Sequence, residues 1–162
     1  MCPDTVGDRF PIRGERRGNL VLGQIGESDR SFRHRLARER SATFRRLIES
    51  IETTDGLIYI IEGQCPRGVG ACLHLSVEIA GPRRLLRIFV NPHWYPSCEM
   101  VEAIAHELQH AREALADKKA RTTIGLFRLF ERIGPTGSGT FETQDALDMG
   151  TIVEREACGK TR

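Results

Sequence analysis

A chain of 162 residues with a formal net charge of +2, 40% hydrophobic and 28% charged residues has the make-up of one ordinary globular domain. So small a net charge gives no argument for a nucleic-acid binder, and the longest apolar run, Leu57 to Ile61, is far short of the roughly 20 residues a membrane-spanning helix needs. Residues 1–28 carry Gly7, Gly14, Gly18, Gly23 and Gly26 with little periodicity, so a flexible N-terminal arm is expected, disordered or draped over a single domain at 29–162. Met1 to Asp8 lacks a basic stretch followed by an apolar one, which sets a cytoplasmic location as the expectation.

A helix, or two in succession, is expected from Asp29 to about Thr53, with Ser41 as a second cap and Thr54-Asp55-Gly56 as the stop. Phe32, Leu36, Ala37, Phe44, Leu47, Ile48 and Ile51 hold a helical period through the Arg-rich stretch Arg30 to Arg46. The arginines then form the wet face of an amphipathic helix, with a polyanion-binding face as the other reading. Leu57 to Glu62 is β-branched and aromatic and reads as a buried strand. Ala71 to Ala80 alternates apolar and polar residues, Gly81-Pro82 marks a turn, and Arg84 to Val90 is the returning strand.

Ser97 to Ala116 reads as one long helix. Pro96 and Ser97 signal its start, Glu99 and Glu102 lie in its first turns, and Val101, Ile104, Ala105, Leu108, Ala111 and Leu115 form its apolar face. Beyond it, Ile124 to Ile133 is apolar but for Arg128, Glu131 and Arg132. Gly134 to Gly139 is a loop, and a last helix is expected from about Phe141 to Ala157. The whole predicts an α+β domain: a small mixed or antiparallel sheet of about three or four strands packed on the long helix, with further helices before and after.

The five cysteines, Cys2, Cys65, Cys72, Cys98 and Cys158, are scattered without a CxxC pair. Reduced thiols are the default expectation, and Cys98 reads as a packing residue. Cys65 and Cys72 bracket a Gly-rich turn and could bridge in an exported protein.

On the long helix stands His106-Glu107-Leu108-Gln109-His110. Two histidines at i and i+4 share a helix face and can reach one metal ion, and a glutamate directly after the first suits a general base acting on water. A catalytic zinc takes a third protein ligand, and no histidine follows His110, so a carboxylate is expected. Glu142 heads an apolar stripe on the last helix and is the first candidate. Glu154 on the same helix and Glu113 on the motif helix are the alternatives, with Glu113 better suited to orienting an imidazole. Tyr95 and His93, just before the motif helix, are candidate donors to a developing oxyanion.

With its motif helix preceded by strands and followed by a helical glutamate, the chain resembles the zincin metallopeptidases. Its carboxylate ligand is similar to that of the gluzincin branch, and its size to minimal single-domain bacterial zincin-like proteins. The resemblance implies a Zn²⁺-dependent peptidase in which His106, His110 and Glu142 bind the metal and Glu107 is the base. It also implies a peptide or protein substrate laid along a strand edge, either Ala71 to Ala80 or Arg84 to Val90. Two other readings keep the metal: a catalytically silent binding module on the same fold, and an Arg-rich nucleic-acid-binding protein.

Overall fold

The computed structural model describes residues 15–22, 37–91, 97–134 and 141–159. Its elements are β1 (Glu15–Arg17), β2 (Leu20–Leu22), α1 (Ala42–Glu52), β3 (Gly56–Glu62), β4 (Ala71–Ala80), β5 (Arg83–Val90), α2 (Ser97–Ala116), α3 (Thr123–Ile133) and α4 (Gln144–Cys158). Residues 37–40 are also helical. The fold is α+β, as the sequence pattern predicts.

Three long strands, β3, β5 and β4, are extended by the β1–β2 hairpin into a five-stranded sheet of order β1-β2-β3-β5-β4. β3 runs parallel to β2 and β5, and the other pairings are antiparallel. The hairpin falls within the expected arm, so part of that arm belongs to the sheet; its other residues lie outside the described ones. Gly18 turns the hairpin with φ 63, and buried Asn19 directs its side-chain amide to the Ile51 and Thr54 carbonyls at 3.1 and 3.2 Å. Three charged residues carry no strand pattern of their own, and this tether to the end of α1 fixes the turn instead.

The helices cover one face of the sheet. Ile58 and Ile60 of β3 and Leu86 and Ile88 of β5 are buried against Phe44, Leu47, Ile48 and Ile51 of α1 and Ile104, Leu108 and Ala111 of α2. Each such side chain, fully withdrawn from water, contributes roughly 1.5–3 kcal/mol. β3 differs from the expected fully buried strand: Leu57, Tyr59 and Ile61 are only half-buried on the other face, where no helix packs among the described residues. β4 keeps Leu73, Leu75 and Val77 against the core, but its pairing with β5 shifts between His74 and Glu78, and Ile79 is exposed.

Capping explains where the helices begin. Ser41 accepts from Phe44 N, Thr122 from Gly125 N and Thr143 from Ala146 N. Glu156 reaches from α4 to the start of α1, where Thr43 N and the Ser41 and Thr43 hydroxyls donate to its carboxylate at 2.6 to 3.0 Å. α4 starts three residues later than its sequence pattern predicts, because the Thr143 hydroxyl caps it there. Four cysteines are paired, which corrects the expectation of reduced thiols. Cys65–Cys72 closes the loop before β4, and Cys98–Cys158 joins the first turn of α2 to the end of α4. Cys98 is therefore a covalent staple as well as a packing residue. Among the described residues, no helix is long and apolar enough to cross a membrane.

Candidate metal centre

Packing dictates which face of α2 is polar enough to carry chemistry. Met100, Val101, Ile104, Ala105, Leu108, Ala111, Ala114 and Leu115 are buried in the core, and the remaining arc holds His106 and His110 one turn apart. Their rings meet edge to face with centroids 4.8 Å apart, and the two Nε2 atoms are 3.1 Å from each other. α4 crosses α2 closely here. A Cβ on Gly150 would come within 3.2 Å of the Glu102 carbonyl oxygen and 3.4 Å of His106 Cβ, tighter than most Cβ contacts, so glycine eases this close approach of the helices.

Glu113 organises His110. Its Oε2 lies 3.1 Å from His110 Nδ1, and its Oε1 accepts from Thr143 Oγ1 at 2.8 Å and Gln109 Nε2 at 3.2 Å. Burial works against the Glu113 charge, but the hydrogen bonds from His110 and Thr143 overcome it and hold its pKa below the ordinary glutamate value. A carboxylate can only accept, so His110 Nδ1 carries the proton and Nε2 turns a lone pair outward. Thr143 is also the cap of α4, so Glu113 ties the motif helix to the segment bearing Glu142.

Glu142 Oε2 stands 3.1 Å from His106 Nε2 and 4.0 Å from His110 Nε2. It is buried and lacks an aligned hydrogen bond despite the short distance to His106. Among the described residues, His106, His110 and Glu142 form the group whose ligand atoms converge, all within 4.8 Å of one another. Donors about 2.1 Å from a tetrahedral ion stand about 3.4 Å apart. The observed 3.1, 3.1 and 4.0 Å bracket that spacing. Two imidazoles and one carboxylate, one oxygen of which has no aligned donor, fit a catalytic zinc site that leaves a fourth position for water.

The charges are distributed to match. The His106 ring beside it holds Glu142 below the ordinary carboxylate value. Burial disfavours the charged His106, yet Glu142, Glu107 and Glu102 outweigh it and raise its pKa. Burial is the largest effect on Glu107 and pushes its pKa up, with His110 and His106 pulling the other way. A raised carboxyl pKa suits a group that must both take and return a proton near neutral pH. Glu107 Oε1 is 4.0 Å from His106 Nε2, and its Oε2 accepts from the backbone N–H of Leu73 at 2.6 Å. Leu73 lies on β4, the edge strand, so the general-base candidate is tethered to that strand.

The structure brings His106, Glu107, His110, Glu113 and Glu142 together. It places Glu142 just ahead of the Thr143 cap instead of on the helix, and Glu154 further along α4, outside the converging group. Tyr95 and His93 fall outside the described residues. Sequence reasoning missed the Leu73 N–H, which as a backbone group has no residue-type signal. It also missed Thr143 and Gln109, whose polar side chains on packed elements are the one trace the sequence offers. Comparison with protein-family models, curated proteins and solved structures finds no match for this chain.

Proposed function

We propose that this chain is a zinc-dependent metallopeptidase of a minimal, single-domain, zincin-like kind. The observation that supports it most is the convergence of His106 Nε2, His110 Nε2 and Glu142 Oε2, with the Glu107 carboxylate beside them and bound to the edge strand. When bound by these three residues, Zn²⁺ lowers the pKa of its water toward ~7 and polarises the scissile carbonyl. Glu107 takes the proton as the water oxygen bonds to the carbonyl carbon. The C–N bond then breaks and Glu107 returns the proton to the departing amine, so that amide and water become carboxylic acid and amine. Glu113 keeps His110 in the tautomer that offers Nε2.

The substrate is an extended peptide or protein segment that pairs with the edge of β4, which no other strand occupies among the described residues. Glu107 already uses the Leu73 N–H, so pairing begins at the next outward residue, Leu75. The two cystines favour an oxidising compartment over the cytoplasm.

Metal analysis and a peptide-library digest of wild type and Glu107→Gln provide the test. Both proteins should bind one zinc per chain, and the variant should lose roughly 10²–10⁴-fold in cleavage rate. Stoichiometric zinc with no Glu107-dependent cleavage would refute the peptidase reading and leave the catalytically silent binding module.

A further inference from the structure

A cavity of about 190 Å³ opens beside Glu107, His110 and Glu142. Every other residue lining it is apolar or a bridged cysteine. One wall is the β4 side chains Leu73 and Leu75, and the opposite wall is aromatic: Phe130 of α3 meets the His110 ring edge-on at 5.4 Å, and Phe141 lies 6.1 Å from Phe130. Pro66 and Val69 form the outer wall. Both belong to the loop closed by Cys65–Cys72, and Cys72 itself lines the cavity. That loop has few other restraints, namely a turn from Val69 N to Pro66 O and a hydrogen bond from Asn91 N to Gly70 O.

Three features point to an occupant. Val69 is 37% and Phe127 44% exposed, and Phe127 meets Phe141 edge to face at 4.9 Å, so apolar surface continues from the cavity to its mouth. Among the described residues no Lys or Arg lines the cavity, and its His110, Glu107 and Glu142 belong to the candidate centre, so an acidic group would enter without a partner of its own. An apolar cavity of ~150 Å³ is already enough to hold benzene, so this one accepts a side chain of Leu or Phe size.

We propose that this cavity holds a bulky apolar side chain of the substrate next to the scissile bond, and that the Cys65–Cys72 bridge keeps Pro66 and Val69 in place as its outer wall. The proposal rests on the peptidase reading for its substrate class. Opening the bridge frees one wall without touching His106, His110 or Glu142, so substrate affinity falls while the metal stays bound.

The test separates binding from turnover. Zinc-loaded Glu107→Gln protein is titrated into dye-labelled, end-blocked alanine hexapeptides carrying one Leu, Phe or Asp at each position in turn, and Kd is read by fluorescence anisotropy. Leu or Phe at one position should tighten binding roughly 10–10²-fold over Ala, and Asp there should not. In the same background, Val69→Asp, on an exposed loop, should abolish that preference with zinc content unchanged. Cys65→Ser with Cys72→Ser should weaken the Leu peptide at least about fivefold, again with zinc retained.

Equal Kd values across the panel, no peptide binding, or a preference that survives Val69→Asp would overturn the pocket assignment. An unchanged Kd in the double serine variant would overturn the role of the bridge. Wild-type cleavage is scored separately: apolar preference without turnover keeps the pocket and removes the hydrolase, whereas turnover without the preference does the reverse.

Discussion

Arg84 is the residue whose loss should damage this fold most. It is 2% exposed on β5, and its guanidinium reaches four carbonyl oxygens: Ala114 at 3.1 Å, Leu115 at 2.6 Å, Asp117 at 2.7 Å and Ala120 at 3.2 Å. It also pairs with Asp55 at 2.6 Å. α2 has no basic residue in its own last turn, so this side chain from the sheet supplies both the cap and the charge that the C-terminal dipole favours.

In Arg84→Met, the Ala114, Leu115 and Ala120 carbonyls lose that donor, at about 1–3 kcal/mol each. Water reaching the last turn offsets part of this, and the Asp55 ion pair adds little because its carboxylate is a third exposed. The expected loss is about 4 kcal/mol, within the ~3–5 kcal/mol seen when one partner of a buried pair is removed. That is a large part of a typical ~5–15 kcal/mol total.

Urea unfolding followed by far-UV circular dichroism reads the loss as a lower midpoint at unchanged slope. Arg84→Lys should recover less than half, since one ammonium cannot span carbonyls spread over seven residues. Arg84 holds the Asp55 carboxyl below its ordinary value, so the pair's stabilisation is complete above about pH 4 and is lost as pH falls through the depressed value. The gap between wild type and Arg84→Met should therefore narrow in acid. A loss under about 1 kcal/mol at neutral pH, or a gap that widens in acid, would refute the capping role.

Glu113→Gln should weaken zinc binding roughly 10–100-fold in a chelator competition while leaving the urea midpoint almost unmoved, because it disturbs the orientation of His110 and no buried apolar contact. Glu142→Ala should lose zinc more severely than Glu113→Gln, whereas Glu154→Ala should match wild type in the same assay. Replacing Cys98 and Cys158 with serine reopens a loop sixty residues long and should cost about 4 kcal/mol. The Cys65 and Cys72 pair closes a separation of seven and should cost about 2.5 kcal/mol, so unfolding of the two double variants should rank in that order.

The parts of the site that a reader can find in the sequence are those joined by one helix. His106, Glu107, His110 and Glu113 are fixed relative to one another by 3.6-residue geometry, so their mutual placement follows from spacing alone. Glu142 reads in the sequence as the head of an apolar helical stripe, but it lies before the helix. Its position depends on the Thr143 cap and on the close crossing at Gly150, neither of which has a period to read. The Cys98–Cys158 bridge, the Arg84 cap and the hairpin held by Asn19 join residues 30 to 60 positions apart. Such contacts exist only once the chain is packed, and local patterning contains no trace of which partner each will find.

α3 carries more apolar residues than its packing uses. Leu126, Leu129 and Phe130 are buried and suffice to seat the helix, yet Ile124 and Phe127 are also apolar and are exposed at 66% and 44%. A helix that needs one apolar face for the core and carries a second is either costly in water or has something to cover it. Here the second face continues into the cavity wall through the Phe127–Phe141 contact. α3 packs against the edge strand β4, and Phe130 serves the core on one side and the His110 ring on the other. Apolar residues in excess of what one packed face requires are therefore the sequence trace of the cleft, just as the i, i+4 histidines are the trace of the candidate metal centre.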